Sequence, residues 1–599
     1  MVTIISEILQ NNDFETIENA AIKLFLDKNN INNIKNKLII NKISKINKSV
    51  YKKISNMFDL NTFDSLNKFF ESLFNEKEKA ENGIVFTPEF ISDYIVKNTI
   101  ENYEDNTKVI DPSCGCGIFL ISVTKLLSKN YGVKISDIIK NNIYGIDLDN
   151  RNVSRVKILL SLYAIINNED KEEYEFNLKC CDSLFCDWNL LFSVDKFDYV
   201  VGNPPYINNH DLKKDYILSL KKEFKTTNAG TFNTFYAFIE KSNKYISKKG
   251  KIGYIVPNNF LHIKSALELR KYIKDNKLLN TIIDFKDNTV FFPILTYNCI
   301  MFLSKNNSNF KYAQIEKSND LPKALNKIKF TKKIITDLDD NSWYLVDNTT
   351  INNIKKIESF PNKLDSYIRT GIATLKDSIY VLDGYDEEKK LYYKILGHKK
   401  YFIEPEITRE YIKVSKYKLN KQIGRIIFPY HIVSGKAVSL TENELLKRYP
   451  LAHKYLLKNK ATLLERDKGK NISPWFSYGR SQGLNMFTKK IIFSTFNDTP
   501  KFMVCPSDET LFSNGYCIVN YFWDTRVLLK ILNSKIMKYY IENTSYIISG
   551  NFKCFQKKYI KNFSIPNLKK EDITNILTLE EEKLESYLSK LYGLHLESL

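Results

Sequence analysis

Phe197-Asp198-Tyr199-Val200-Val201-Gly202-Asn203-Pro204-Pro205-Tyr206 reads as the end of a buried strand followed by a rigid turn. Tyr199, Val200 and Val201 form an apolar run of β-formers, and the two prolines lock φ in the turn that follows. In open α/β sheets ligands bind at the carboxyl edge of the strands. The stretch therefore predicts a largely parallel sheet with a site at this edge.

The turn suits one chemical task. The exocyclic amine of adenine is a poor nucleophile because its lone pair is delocalised into the ring. Two acceptors, the Asn203 side-chain oxygen and the Pro204 carbonyl, can take both N–H hydrogens and draw the nitrogen towards a tetrahedral shape. Tyr206 can stack on the base, which has to leave a duplex before an enzyme reaches its amine. A plain strand-ending turn, with Asn203 as a cap and the prolines as stiffeners, is the alternative.

With 599 residues, 43% hydrophobic and 26% charged, the chain exceeds what one core holds, and about two or three domains are expected. No apolar run is long enough to span a bilayer and no secretory leader is evident, so a cytoplasmic protein without a membrane partner is expected. The net charge of +20 suits a polyanion such as nucleic acid. The bias to Lys, Asn and Ile, with only ten Arg, is also what an AT-rich genome produces. The nine cysteines and six histidines lack the paired spacing of a zinc site, so reduced, mostly buried thiols and no metal are expected.

Residues 1–80 predict a helical extension, with Ile5, Ile8, Leu9, Phe69, Phe70, Leu73 and Phe74 at helical spacing. Its lysines, Lys35 to Lys53, suit a solvated face as well as they suit phosphates. Beyond Gly83, Thr87 is placed to cap a helix with Pro88 at its first position. Val109-Ile110-Asp111-Pro112-Ser113-Cys114-Gly115-Cys116-Gly117 then reads as strand, tight glycine turn and helix start, the glycines letting backbone approach a ligand. It is neither the dinucleotide fingerprint nor a phosphate loop. A second strand ends at Asp147, placed to accept from ribose hydroxyls, and a third at Asp182, placed to accept from an adenine amine. Any one of these acids alone suits a turn. Three successive strand ends carrying acids ahead of Asn203 favour a ligand site.

The order of the Thr87-Pro88 element, the Asp111 to Gly117 loop, Asp147, Asp182 and Asn203-Pro204-Pro205-Tyr206 resembles the gamma-type amino N6-adenine DNA methyltransferases of restriction-modification systems. The resemblance implies S-adenosyl-L-methionine bound by Thr87, Asp111, Pro112, Cys114, Gly115, Gly117, Asp147 and Asp182, with Asn203, Pro204, Pro205 and Tyr206 catalytic. The family's aromatic residue beside Asp182 is replaced by Ser183, with Leu184 or Phe185 as substitutes. Gly230 to Phe238 and Lys249 to Asn258 extend the likeness. Phe291-Phe292-Pro293 resembles a hairpin supplying a second wall for the flipped base, Phe292 first and Phe291 second. Arg369 to Thr374 and Trp475 to Gly483 mix aromatic, basic and small residues as DNA-facing loops do.

These readings predict an α/β chain. Residues 81–310 form a doubly wound, Rossmann-like methyltransferase domain, and residues 311–599 a mixed α+β target-recognition domain with a terminal helix. The expected activity is sequence-specific N6-adenine methylation of double-stranded DNA by a monomer, with any restriction endonuclease as a separate partner, since residues 1–80 show no nuclease pattern. The same turn also suits methylation of RNA adenine or of a protein glutamine amide, each a planar NH₂. A non-enzymatic alternative is a DNA-binding specificity subunit with a vestigial core.

Overall fold

A computed structural model describes residues 12–74, 87–291, 296–417, 423–466, 472–519, 523–545, 547–548 and 552–594, the side chains of 287, 348, 547 and 548 aside. It divides into two units, Met1–Leu345 and Val346–Leu599.

Among the described residues, the first unit is built on nine strands: β1 Val109–Asp111, β2 Ile143–Asp147, β3 Asn177–Cys180, β4 Phe197–Gly202, β5 Ile246–Pro257, β6 Leu279–Thr289, β7 Tyr297–Ser304, β8 Asn309–Gln314 and β9 Thr331–Ile334. Their order is β3-β2-β1-β4-β5-β7-β6-β8-β9. The first five run parallel, and β7 runs antiparallel between β5 and β6. The strand order reverses between β1 and β4, which opens a crevice beyond their carboxyl ends.

Successive side chains of a strand point to opposite faces, and the sheet uses both. Val109 and Val201 enter one core with the helices Glu89–Thr99, Ile118–Tyr131 and Asn150–Ile166. Ile110 and Val200 enter the other with Thr234–Tyr245 and Leu267–Asp275. Burial on both faces explains the unbroken apolar runs that marked these strands.

The amino-terminal helices Phe14–Lys28, Lys37–Ser44, Lys48–Met57 and Phe63–Ser72 each begin on a capping side chain, from Asp13, Asn36, Asn47 and Thr62. They share the first core and are tied to the sheet domain by a buried ion pair. The fully buried Arg155 guanidinium donates to Glu18 through Nε at 2.8 Å and Nη2 at 2.5 Å. Removing Glu18 leaves that charge uncompensated, which costs about 3–5 kcal/mol. Lys37 and Lys42 pair with Glu172 and Glu15 at the surface, a solvated face. Ile5, Ile8 and Leu9 lie outside the described residues.

The expected domain boundary at 310 shifts to Leu345 and Val346. β8, with Phe310, Tyr312 and Ala313 buried, and β9, a short lysine-bearing strand, extend the sheet of the first unit. The second unit is mixed α+β: a four-stranded sheet of 368–370, 515–519, 490–494 and 503–504 and smaller sheets, with the helices Thr525–Leu532, Lys535–Thr544 and Glu581–Tyr592 around a core of their own. No helix among the described residues is long and apolar enough to cross a membrane.

Candidate active site

The crevice at the carboxyl ends of β1 to β4 holds a cavity of about 950 Å³, whose wall includes Pro112, Ser113, Gly115, Asp147, Asp182, Asn203 and Pro205. Four separate strand ends thus converge on one space. Thr87, Asp111, Cys114, Gly117, Pro204 and Tyr206 are not among the residues of that wall.

Asp111 is buried behind the β1 turn, where its Oδ1 accepts from the Ser113 N–H at 3.0 Å. A Cβ on Gly202 would fall 2.7 Å from that oxygen, so only glycine lets β4 pass so close. Burial pushes the Asp111 carboxyl up to about 8, the Ser113 N–H opposing and the Asp147 charge adding to the rise. Gly115, with φ +51°, adopts a conformation that L side chains disfavour and so turns its N–H onto Asp147 Oδ2 at 2.9 Å. Cys114 donates its N–H to Ile146, and Gly117 is the amino-terminal cap of Ile118–Tyr131.

Asp147 Oδ1 accepts from the Asp149 N–H at 2.9 Å and from Asn152 Nδ2 at 3.1 Å. With Gly115 on Oδ2, three of its roughly four lone-pair sites are engaged, which leaves capacity for one hydroxyl of a bound diol rather than two. Burial raises its pKa against these donors. Asp182 accepts from the Leu184 N–H at 3.0 Å and from the Tyr216 hydroxyl at 2.9 Å. Phe185 packs edge-on against Tyr216, and Leu184 is buried. Leu148, 69% exposed, stands on the cavity wall beside Asp147.

The Asn203 loop is held on several sides. Asn203 Nδ2 donates to Thr87 Oγ1 at 3.0 Å, so the Thr87 hydroxyl serves the loop instead of capping the next helix, whose cap is Pro88 without a side-chain bond. The Tyr206 hydroxyl sits between Asn203 Oδ1 and the Ile255 carbonyl, 2.8 Å from the latter, and its single proton serves one at a time. The Tyr206 ring packs edge-on against Phe235, and burial raises its pKa. Thr234 donates to the Pro205 carbonyl and accepts from the Ile207 N–H at 3.1 Å. Ser113 Oγ reaches the Asn203 carbonyl at 3.4 Å, joining the β1 turn to the β4 loop. Phe291 is buried in the first core; Phe292 lies outside the described residues.

Glu71, Phe74, Leu148, Tyr216 and Thr234 stand on the cavity wall and were not expected there from the sequence, where Phe74 reads as helix packing and Thr234 only as part of the Gly230 to Phe238 likeness. Only Leu148, a large apolar residue directly after a strand-ending acid, carried a local signal.

In the second unit the two loops singled out as DNA-facing lie side by side. Gly479 and Arg480 donate their N–H groups to the Thr374 and Ala373 carbonyls, each at 3.1 Å, and Gln482 Nε2 donates to Gly371 at 3.0 Å. The buried Arg466 braces both, donating to the carbonyls of Thr374, Ser477 and Trp475 at 3.0, 2.9 and 2.8 Å.

The Eco57I restriction-modification methylase family matches residues 141–291, which span β2 to β6 and the Asn203 loop. The Escherichia coli Type II restriction enzyme and methyltransferase RM.Eco57I is 25% identical over 86% of this chain, and the chain spans 60% of that relative. The Type II methyltransferase M.BstVI of Geobacillus stearothermophilus is 23% identical over 86% of the chain and 96% of its own length. In fold, the chain is similar to the Type IIL restriction-modification enzyme MmeI, solved in complex with DNA, with a TM-score of 0.64 at 13% identity over 99% of this chain and 90% of that one.

Proposed function

We infer that the chain belongs to the restriction-modification methyltransferases and methylates DNA in a sequence-specific manner, the base being adenine and the position N6. One observation carries the finer reading: a single acidic cavity connects Asp147 and Asp182 to the clamped amide of Asn203. The chain has a net charge of +20, yet the cavity wall bears Glu71, Asp147, Asp149, Asp182 and Asp211 against Lys213 alone. Such a wall repels a pyrophosphate and attracts a cation, and S-adenosylmethionine carries a sulfonium and an ammonium. Asp147 would hold a ribose hydroxyl, Asp182 the adenine amine and Leu148 the purine face.

When bound, S-adenosylmethionine supplies a methyl group activated by the sulfonium. The protein's part is to hold an extruded base with its amine in line with that carbon, so that proximity and preorganised dipoles lower the barrier. A carbonyl oxygen has two lone pairs, so Asn203 Oδ1 can receive the Tyr206 hydroxyl and one amine hydrogen together. The Pro204 carbonyl takes the second hydrogen. Asn203 is neutral and no base, so the surplus proton on the alkylated nitrogen passes to water.

Residues 346–599 are proposed to read the duplex, with the braced loops around Arg369 and Arg480 as a contact surface. The proposal includes a monomer working beside a separate restriction endonuclease. The test is transfer of labelled methyl from S-adenosylmethionine to mixed-sequence duplex DNA, RNA and protein in parallel. Label in DNA at one sequence context is expected, and label confined to RNA or protein would overturn the reading.

A further inference from the structure

Glu71, in the helix Phe63–Ser72, and Phe74, two residues past its end, stand on the wall of the cofactor cavity beside Pro112, Ser113, Gly115 and Cys116. Their placement is built in. The Phe74 ring lies under two guanidiniums of the helix Asn150–Ile166, 4.8 Å from Arg151 and 4.7 Å from Arg155, and such contacts contribute about 0.5–2 kcal/mol each. Arg155 also stacks on Phe70 and is fixed by the buried pair with Glu18. The end of the helix Phe63–Ser72 is thus clamped against the β1 turn by one arginine that reaches both sides. Burial keeps the Cys116 thiol protonated against the Arg155 charge, and the nearby Glu71 carboxylate adds to that.

Asp147 and Asp182 occupy the β2 and β3 ends of the cavity and are assigned to the ribose and the adenine. The amino-acid end of the cofactor then points to the β1 turn, where Glu71 is the carboxylate on the wall beside Pro112, Ser113, Gly115 and Cys116. We propose that Glu71 receives the ammonium of the cofactor's amino-acid end, with Phe74 as the apolar floor beneath it, so that the amino-terminal extension is a wall of the cofactor site. This assignment rests on the S-adenosylmethionine reading above.

The test compares two neutral thioethers that differ only in that end: S-adenosylhomocysteine, which has the amino-acid group, and 5′-methylthioadenosine, which lacks it. In calorimetric titrations of the full chain, Glu71→Gln is expected to weaken S-adenosylhomocysteine binding about tenfold or more, the scale of a lost charged hydrogen bond, and to leave 5′-methylthioadenosine unchanged. Glu71→Asp is expected to fall between Glu71→Gln and the wild type. Equal weakening of both ligands, or of neither, would overturn the assignment. A wild-type chain that bound neither ligand would instead overturn the cofactor reading itself.

Discussion

The Asn203 side-chain amide donates to the Thr87 hydroxyl across 3.0 Å, joining segments 116 residues apart. One hydrogen bond thereby sets which edge of the amide faces the cavity and leaves its oxygen to act as an acceptor.

Thr87→Val keeps the shape and removes the acceptor. A neutral hydrogen bond contributes about 0.5–1.5 kcal/mol, so kcat is expected to fall roughly 2- to 10-fold with unchanged affinity for S-adenosylmethionine. Weaker cofactor binding at constant kcat would return Thr87 to the cofactor pocket, where the sequence reading had put it.

Tyr206→Phe separates the ring from its hydroxyl. Since the hydroxyl joins Asn203 to the Ile255 carbonyl, losing it leaves a buried acceptor unpaired, about 1–3 kcal/mol, and a drop of about tenfold in kcat is expected. Fluorescence of 2-aminopurine at the target position should persist in Tyr206→Phe and fall in Tyr206→Ala. Full activity of Tyr206→Phe would mean that only the ring face matters.

The sheet and its site edge were legible because β1, β2 and β4 are short apolar runs, each ending in residues that cannot continue a buried strand, Asp111, Asp147 and Asn203. The extent of the domain was not, because β8 and β9 lie towards the far edge of the sheet and carry Lys311, Lys332 and Lys333, which read as loop. Thr87 looked like a cap since a hydroxyl before Pro88 satisfies local rules, and its real partner is set by tertiary packing. Glu71, Tyr216 and Thr234 reach the cavity from helices whose sequence only records that they are amphipathic. The pairing of the loops around Thr374 and Gly479 depends on Arg466, one arginine with no motif around it.

Asp111 gives the fold a pH signature. Its folded pKa is raised to about 8 from 3.8, so the folded state holds a proton that the unfolded chain has released, and stability falls as pH rises between those values. Asp111→Asn is expected to flatten the decline in melting temperature between about pH 5 and 8. An unaltered slope would show that Asp111 ionises normally.

Arg466→Ala strands the Thr374, Trp475 and Ser477 carbonyls in a buried setting. A loss of about 3 kcal/mol or more in chemical denaturation of the second unit is expected, since each buried carbonyl left unpaired costs about 1–3 kcal/mol, with S-adenosylmethionine affinity retained. A loss below about 1 kcal/mol would place that brace in solvent.

The proposed role of Asn203 is to present an adenine amine for methylation. It is tested by digesting duplex DNA after reaction and quantifying methylated nucleosides by mass spectrometry, for the wild type and for Asn203→Ala at matched duplex occupancy. The wild type is expected to yield N6-methyladenine, and Asn203→Ala to lose about 10²–10³ in rate while still binding the duplex, the scale for one preorganised polar group. Methyl groups on cytosine alone, or an Asn203→Ala variant as fast as the wild type, would contradict the account.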